Sequence, residues 1–131
     1  MHKKILVVDD DLNIQEMLNS GLSRYGYAIT VSSSAIDALS LIEKSRFDLV
    51  IIDVMMPDID GITLCKTIRN MDKSADIPII ILTALSDAET MNDALLFGAV
   101  DYIVKPFDLR ALREKIDSAV NKSQARKKGK K

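Results

Sequence analysis

Apolar positions along the chain fall into two alternating patterns. Short, largely apolar runs recur at Lys4–Val8, Tyr27–Val31, Asp48–Asp53, Ile77–Thr83 and Asp101–Val104. They are rich in Ile, Val and Leu and have the length of strands, several of them buried on both faces. Between them the apolar residues move to helical spacing. Ile14, Met17, Leu18, Gly21 and Leu22 form one stripe, and Ala35, Ala38, Leu39 and Ile42 a second. Ile62, Cys65, Ile68 and Arg69 follow Gly61 as a third. Met91, Ala94, Leu95 and Gly98 follow the capping-box spacing Ser86-Asp87-Ala88-Glu89 as a fourth. Leu109, Leu112, Ile116 and Ala119 form the last, with Asp108 placed to cap it. Asp11 and Ser34 are placed to cap the first two helices.

Five strand–helix pairs in strict alternation predict an α/β fold: a parallel sheet with helices on both faces and right-handed crossovers. Strands three and four are the most continuously apolar and are expected in the middle of the sheet. Strand two carries Tyr27, Thr30 and Ser32 and is expected at an edge. At 131 residues the chain is one domain by length.

The polar residues at the strand ends give the pattern its chemistry. Asp9 and Asp10 follow Ile5-Leu6-Val7-Val8, and Asp53 follows Leu49-Val50-Ile51-Ile52. Ligands of open α/β sheets bind at the carboxyl ends of the strands. The three carboxylates would therefore share a small space and repel one another unless a cation or a proton intervenes. Mg²⁺ takes oxygen ligands and keeps several waters, so one or two carboxylates suffice to hold it. Thr83 ends the fourth strand and Lys105 the fifth, so four strands deliver Asp, Asp, Thr and Lys to one end of the sheet. That set suits phosphoryl transfer to a carboxylate. The nucleophile is already ionised at neutral pH, a metal and a lysine offset charge, and a hydroxyl bonds a phosphoryl oxygen. Asp58 and Asp60, between Pro57 and Gly61, read as solvated turn residues.

Charge and composition narrow the choice. The lone histidine, His2, is terminal, which leaves no Ser-His-Asp triad and no internal phosphodonor histidine. The single cysteine, Cys65, allows no internal disulfide and suits a reducing cytoplasm. Apolar runs are too short to span a membrane. Six basic residues lie between Lys122 and Lys131. Set against the net charge of −1, they leave −7 on the body. An acidic body of this kind is not expected to bind nucleic acid specifically. The division expected is a body over residues 1–121 and a basic segment, 122–131, without regular structure.

Taken together, Ile5 to Asp10, Asp53 to Gly61, Leu82-Thr83-Ala84 and Gly98 to Phe107 resemble the receiver domain of two-component response regulators, from Lys4 to about Val120. The resemblance implies a flavodoxin-like, doubly wound five-stranded sheet of order 2-1-3-4-5, the order of chemotaxis regulators of this family. It implies that Asp53 accepts the phosphoryl group. Asp10 would ligate Mg²⁺ directly, with Mn²⁺ as a substitute, Asp9 would act largely through water, and Met55 would offer its backbone carbonyl. Thr83 and Lys105 would contact the phosphoryl group, and Thr83 and Tyr102 would move together on activation. A cis Lys105–Pro106 bond is also implied. The expected donor is a histidine kinase or phosphotransfer protein. The expected output is a conformational change of the helix 4–strand 5–helix 5 face, read by a downstream protein or output domain. The protein would be a monomer or a phosphorylation-dependent dimer. It would be a switch that catalyses only its own phosphorylation and slow dephosphorylation.

One departure concerns dimerisation. Transcription-factor receivers commonly pair a lysine of helix 4 with a glutamate of helix 5, and Met91 and Ala111 stand at those places here. Asp101 and Lys115 offer another pair. The alternative function is the receiver part of a transcription factor whose DNA-binding domain is absent from this chain. A phosphoaspartyl hydrolase is disfavoured because Met55 stands where such enzymes carry a second aspartate. A flavoprotein is disfavoured because no aromatic-rich loop is present, and no Gly-x-Gly-x-x-Gly or Walker sequence occurs.

Overall fold

The structure, a computed structural model, describes residues 2–129, with side chains through residue 125. The elements are β1 (Lys4–Val8), α1 (Leu12–Ser23), β2 (Ala28–Ser32), α2 (Ala35–Lys44), β3 (Leu49–Asp53), α3 (Gly61–Arg69), β4 (Ile79–Thr83), α4 (Ala88–Leu96), β5 (Asp101–Val104) and α5 (Leu109–Gly129). A short 3-10 turn over Asp72–Ser74 precedes β4. All strand pairs are parallel, in the order β2-β1-β3-β4-β5. This is the flavodoxin-like order implied by the resemblance. The Lys105–Pro106 bond is cis.

Period-two alternation divides the core. Ile5, Val7, Leu49, Ile51, Ile80 and Leu82 pack with Leu18, Leu22, Leu112 and Ile116, so α1 and α5 cover one face. The intervening residues Leu6, Val8, Val50, Ile52, Ile79 and Ile81 pack with Ala38, Ile42, Leu64, Ile68 and Ala94, so α2, α3 and α4 cover the other. Every residue of β3 and β4 is buried, whereas the edge strand β2 is only partly so.

Asp11, Ser34 and Asp60 cap their helices through backbone N–H groups of the first turn. Asp108 accepts the Arg110 N–H at 3.0 Å. The cap of α4 lies one residue later than the Ser86 spacing predicts: Asp87 accepts the Thr90 N–H. Gly98, at φ +112°, turns the chain from α4 towards β5, and a Cβ there would stand 2.6 Å from the Arg69 side chain.

The carboxyl end of the chain requires a correction. The backbone of 122–129 continues α5, where an irregular segment was expected. The buried stripe of Leu112, Ile116, Ala119 and Val120 runs on to Ser123. Beyond it, Gln, Ala, Arg and Lys are good helix formers, and basic residues suit the negative end of a helix dipole. The side chains of 126–129 and the whole of Lys130 and Lys131 lie outside the described residues. Among the described residues no helix is long and apolar enough to cross a membrane.

Candidate functional site

The strand register sets the site. Val8 lies opposite Ile52, Asp53 opposite Leu82, and Thr83 opposite Val104. The residues at or just beyond those ends therefore emerge together at one edge of the sheet. Asp9 is held in line by its N–H, which donates to the Ser32 carbonyl at 3.0 Å. One oxygen each from Asp9, Asp10 and Asp53 lie within 4.8 Å of one another. Asp9 and Asp53 are buried and Asp10 is exposed.

Both oxygens of the Asp9 carboxylate have a partner. Its Oδ1 accepts the Asp11 N–H at 2.9 Å, and its Oδ2 accepts from the Lys105 ammonium at 3.0 Å. The same ammonium stands 3.5 Å from Asp53 Oδ2. Burial and the Asp9 charge push the Asp53 carboxyl up to about 6, against the opposing pull of Lys105 and of a hydrogen bond from the Met55 backbone. For Lys105, burial alone would favour the neutral amine. The hydrogen bond to Asp9 and the charges of Asp9 and Asp53 outweigh it, and its pKa is raised.

Thr83 is buried, and its Oγ1 accepts the Leu85 N–H at 2.9 Å. Tyr102 is half-buried on β5 opposite Ile81 and packs against the cluster under α2, α3 and α4. Met55 and Leu85 carry exposed apolar side chains on the loops after β3 and β4. Asp101 and Lys115, considered above as a dimer pair, bond each other at 3.1 Å within one chain.

Three residues of the surroundings were given no part in the site from the sequence. Gln15 is buried and donates to the Asp9 carbonyl. Asp58 was read as a solvated turn residue. It accepts the N–H groups of Ala35 and Ile36, so it ties its loop to α2. Gly61 lies so close to the acceptor strand that a Cβ would stand 2.1 Å from the Asp53 carbonyl oxygen. The Pro57–Gly61 punctuation was the available signal for Gly61, and nothing in the local sequence pointed to the other two.

A cavity of about 470 Å³ opens at the opposite end of the sheet, lined by Phe47, Asp48, Asp72, Lys73 and Pro78 among others, and contains none of these residues. The carboxylate group fits a hard divalent cation. Its donors are oxygens and one is open to solvent. Burial first, and then the Asp9 charge, raise the Asp53 pKa, and a cation would offset both by favouring the charged form.

Comparison with known proteins bears on the family rather than on the ion. Residues 5–117 match the response regulator receiver domain family. A probable transcriptional regulator, ycf27, of Cyanophora paradoxa is 41% identical over 122 residues, which are 93% of this chain and 50% of that protein. The transcriptional regulatory protein ZraR of Salmonella typhimurium is 41% identical over 116 residues, 88% of this chain and 26% of that protein. The chain thus spans half or less of these curated relatives. A putative response regulator from Chloroflexus aurantiacus superposes with a TM-score of 0.89 at 36% identity, covering 92% of this chain and 99% of that one. A CheY-like receiver domain protein from Methanospirillum hungatei gives 0.90 at 29% identity, covering 96% and 99%.

Proposed function

The chain belongs to the response regulator receiver family, and on that premise we propose that it is switched by phosphorylation of Asp53. The observation that carries this reading is the juxtaposition of a buried carboxylate, a second buried carboxylate and the Lys105 ammonium at one strand edge. An Asp53 carboxylate oxygen attacks the phosphorus of a phosphohistidine. The new P–O bond forms as the P–N bond breaks, and the electron pair leaves with the donor imidazole. Lys105 is placed to neutralise charge on the phosphoryl oxygens, and Thr83 can donate its hydroxyl proton to one of them. Asp10, Asp53 and the Met55 carbonyl would hold Mg²⁺ or Mn²⁺, with Asp9 acting through water. The ion would supply further neutralisation of phosphoryl charge.

The partners on this reading are a histidine kinase or phosphotransfer protein upstream and a protein or output domain downstream. Thr83 and Tyr102 would carry the change to the α4–β5–α5 face, in a cytoplasmic monomer or phosphorylation-dependent dimer. Acetyl phosphate with Mg²⁺ should add one phosphoryl group to the wild type and none to Asp53→Asn. Equal labelling of both, read by intact mass, would reject Asp53 as acceptor.

A second reading, the receiver portion of a transcription factor, is favoured by the relatives named as transcriptional regulators and by the fraction of their length that is matched. Gel shifts comparing the full natural gene product with this chain would separate the two. Specific DNA binding by the full product alone would support the second.

A further inference from the structure

We infer that the first turn of α2 is a crossbar fixing the spacing between the two loops that carry the metal ligands, with Gln15 and Asp58 as the positioning residues that tie it to each loop. The inference rests on the metal reading proposed above.

The first tie starts at the acidic pair. The Gln15 side chain is buried, and its amide nitrogen donates to the Asp9 carbonyl at 2.6 Å and to Ser33 Oγ at 2.8 Å. An amide NH₂ has two donors, and one goes to each loop. The backbone just before Asp10 is thereby fastened to the segment that opens α2.

The second tie comes from the other side. The two Asp58 oxygens accept the Ala35 N–H at 3.2 Å and the Ile36 N–H at 2.9 Å. The first N–H groups of a helix have no partner within it. Ser34, the local cap, covers the Asp37 N–H at 3.1 Å. The two donors before it are satisfied from more than twenty residues away, by the loop that contains Met55. These bonds also hold the Asp58 carboxyl below its ordinary range, with the Ile36 N–H the largest contributor.

The crossbar is itself braced. Ser32 Oγ lies 2.9 Å from the Ser34 carbonyl and 2.8 Å from Asp37 Oδ2. A continuous path therefore runs from the Asp9 carbonyl through Gln15, Ser33, the first turn of α2 and Asp58 to the Met55 loop. Mg²⁺ demands near-ideal octahedral geometry at about 2.0–2.1 Å, so slack between the two loops acts directly on its affinity.

The test is a Mg²⁺ titration by calorimetry of wild type, Gln15→Met, Asp58→Ala, the double variant and Asp58→Asn, with melting temperatures measured in EDTA. Each single variant should weaken Mg²⁺ binding by about tenfold, the scale of lost outer contacts at metal sites. The double variant should be little worse than either single, because cutting one tie already frees the crossbar. Asp58→Asn keeps one of the two acceptor oxygens and turns its NH₂ towards the other N–H, so it should recover only part of the affinity. Asp87→Ala removes the cap of α4 and should lower the melting temperature without changing Mg²⁺ affinity. Normal Mg²⁺ affinity in both single variants, or a double variant equal to the product of the two, would overturn the crossbar while leaving the metal reading intact. A wild type that binds no Mg²⁺ would overturn the metal reading and the crossbar with it.

Discussion

The Lys105 ammonium stands 3.0 Å from Asp9 Oδ2 and 3.5 Å from Asp53 Oδ2, so the site's cation makes its shorter contact with the residue beside the proposed acceptor. Asp9 is fully buried and accepts a backbone N–H as well, so its charge is well compensated. Asp53 has the longer contact, and burial, then the Asp9 charge, push its carboxyl up to about 6 despite Lys105. The asymmetry leaves the acceptor in need of further positive charge, which is the role a divalent cation would fill.

Removing the ammonium should separate metal binding from phosphoryl transfer. In Lys105→Met the carboxylates lose their internal counter-charge, so Mg²⁺ should bind at least as tightly as in the wild type. Phosphorylation by acetyl phosphate at saturating Mg²⁺ should slow by at least about tenfold, or about 1.4 kcal/mol of barrier. Calorimetric titration and intact-mass kinetics read the two effects independently. A rate within twofold of wild type would remove Lys105 from the phosphoryl contacts.

The Asp53 shift also predicts a pH dependence. The folded protein holds this proton more tightly than the unfolded chain, with a pKa of about 6 against an ordinary 3.8. Metal-free stability should therefore fall as pH rises between those two values, and the cost is fully present above about 6. Two units correspond to at most about 3 kcal/mol, and partial solvent access reduces that to on the order of 1–2 kcal/mol. In EDTA, Asp53→Asn should be more stable than wild type by this amount at pH 8, with the gain gone by about pH 4. Urea unfolding at both pH values checks it. A constant difference, or a loss of stability at pH 8, would show that the shift has another origin.

Switching should depend on Thr83. Its Oγ1 accepts the Leu85 N–H, which ties the threonine to the loop leading into α4. Turning the hydroxyl towards a phosphoryl oxygen would release that loop and change the packing beside Tyr102. Thr83→Ala should still accept a phosphoryl group, because it keeps Asp53 and Lys105. It should lose the phosphorylation-induced NMR shifts of α4, β5 and α5. Wild-type shifts at Tyr102 in phosphorylated Thr83→Ala would reject this route.

Much of this arrangement was legible along the chain, for a physical reason. Strand ends in a parallel sheet are marked twice, once by the end of an apolar run and once by the polar residue that follows it. Asp9, Asp53 and Thr83 each carry that double mark. Helix starts were legible where a cap lies next to its own helix, as at Asp11 and Ser34. Asp58 was not, because the N–H groups it satisfies belong to α2, a helix brought near only by the sheet order. Gln15 escaped for the same reason: one glutamine in a helical stripe shows no partner until the β2–α2 turn folds against it. The end of α5 was misjudged because the apolar stripe fades before the helix does, leaving propensity and the buried Ser123 to carry it further.

The lifetime of the phosphorylated state should be set by Met55 and Leu85. Hydrolysis of an aspartyl-phosphate needs a water in line with the leaving carboxylate, and the side chains two positions after Asp53 and after Thr83 flank that approach in receivers. Both are apolar here, and they remain 62% and 38% exposed, so they stand at the surface rather than within the core. Neither side chain can hold a water by hydrogen bonding, and the Leu85 N–H is already given to Thr83. Dephosphorylation should therefore be slower than in receivers with polar residues at both places. Met55→Asn supplies an amide NH₂ to donate and a carbonyl oxygen to accept at the mouth of the site. One well-placed hydrogen bond changes a barrier by about 1–1.5 kcal/mol, so decay should accelerate roughly tenfold. The change is on an exposed side chain, and stability in EDTA should stay within about 0.5 kcal/mol of wild type. The measurement is the loss of phosphorylated protein in Mg²⁺ after removal of the donor, wild type beside Met55→Asn. Equal or slower decay in the variant would reject water positioning as the cause and leave Asp53 as acceptor untouched.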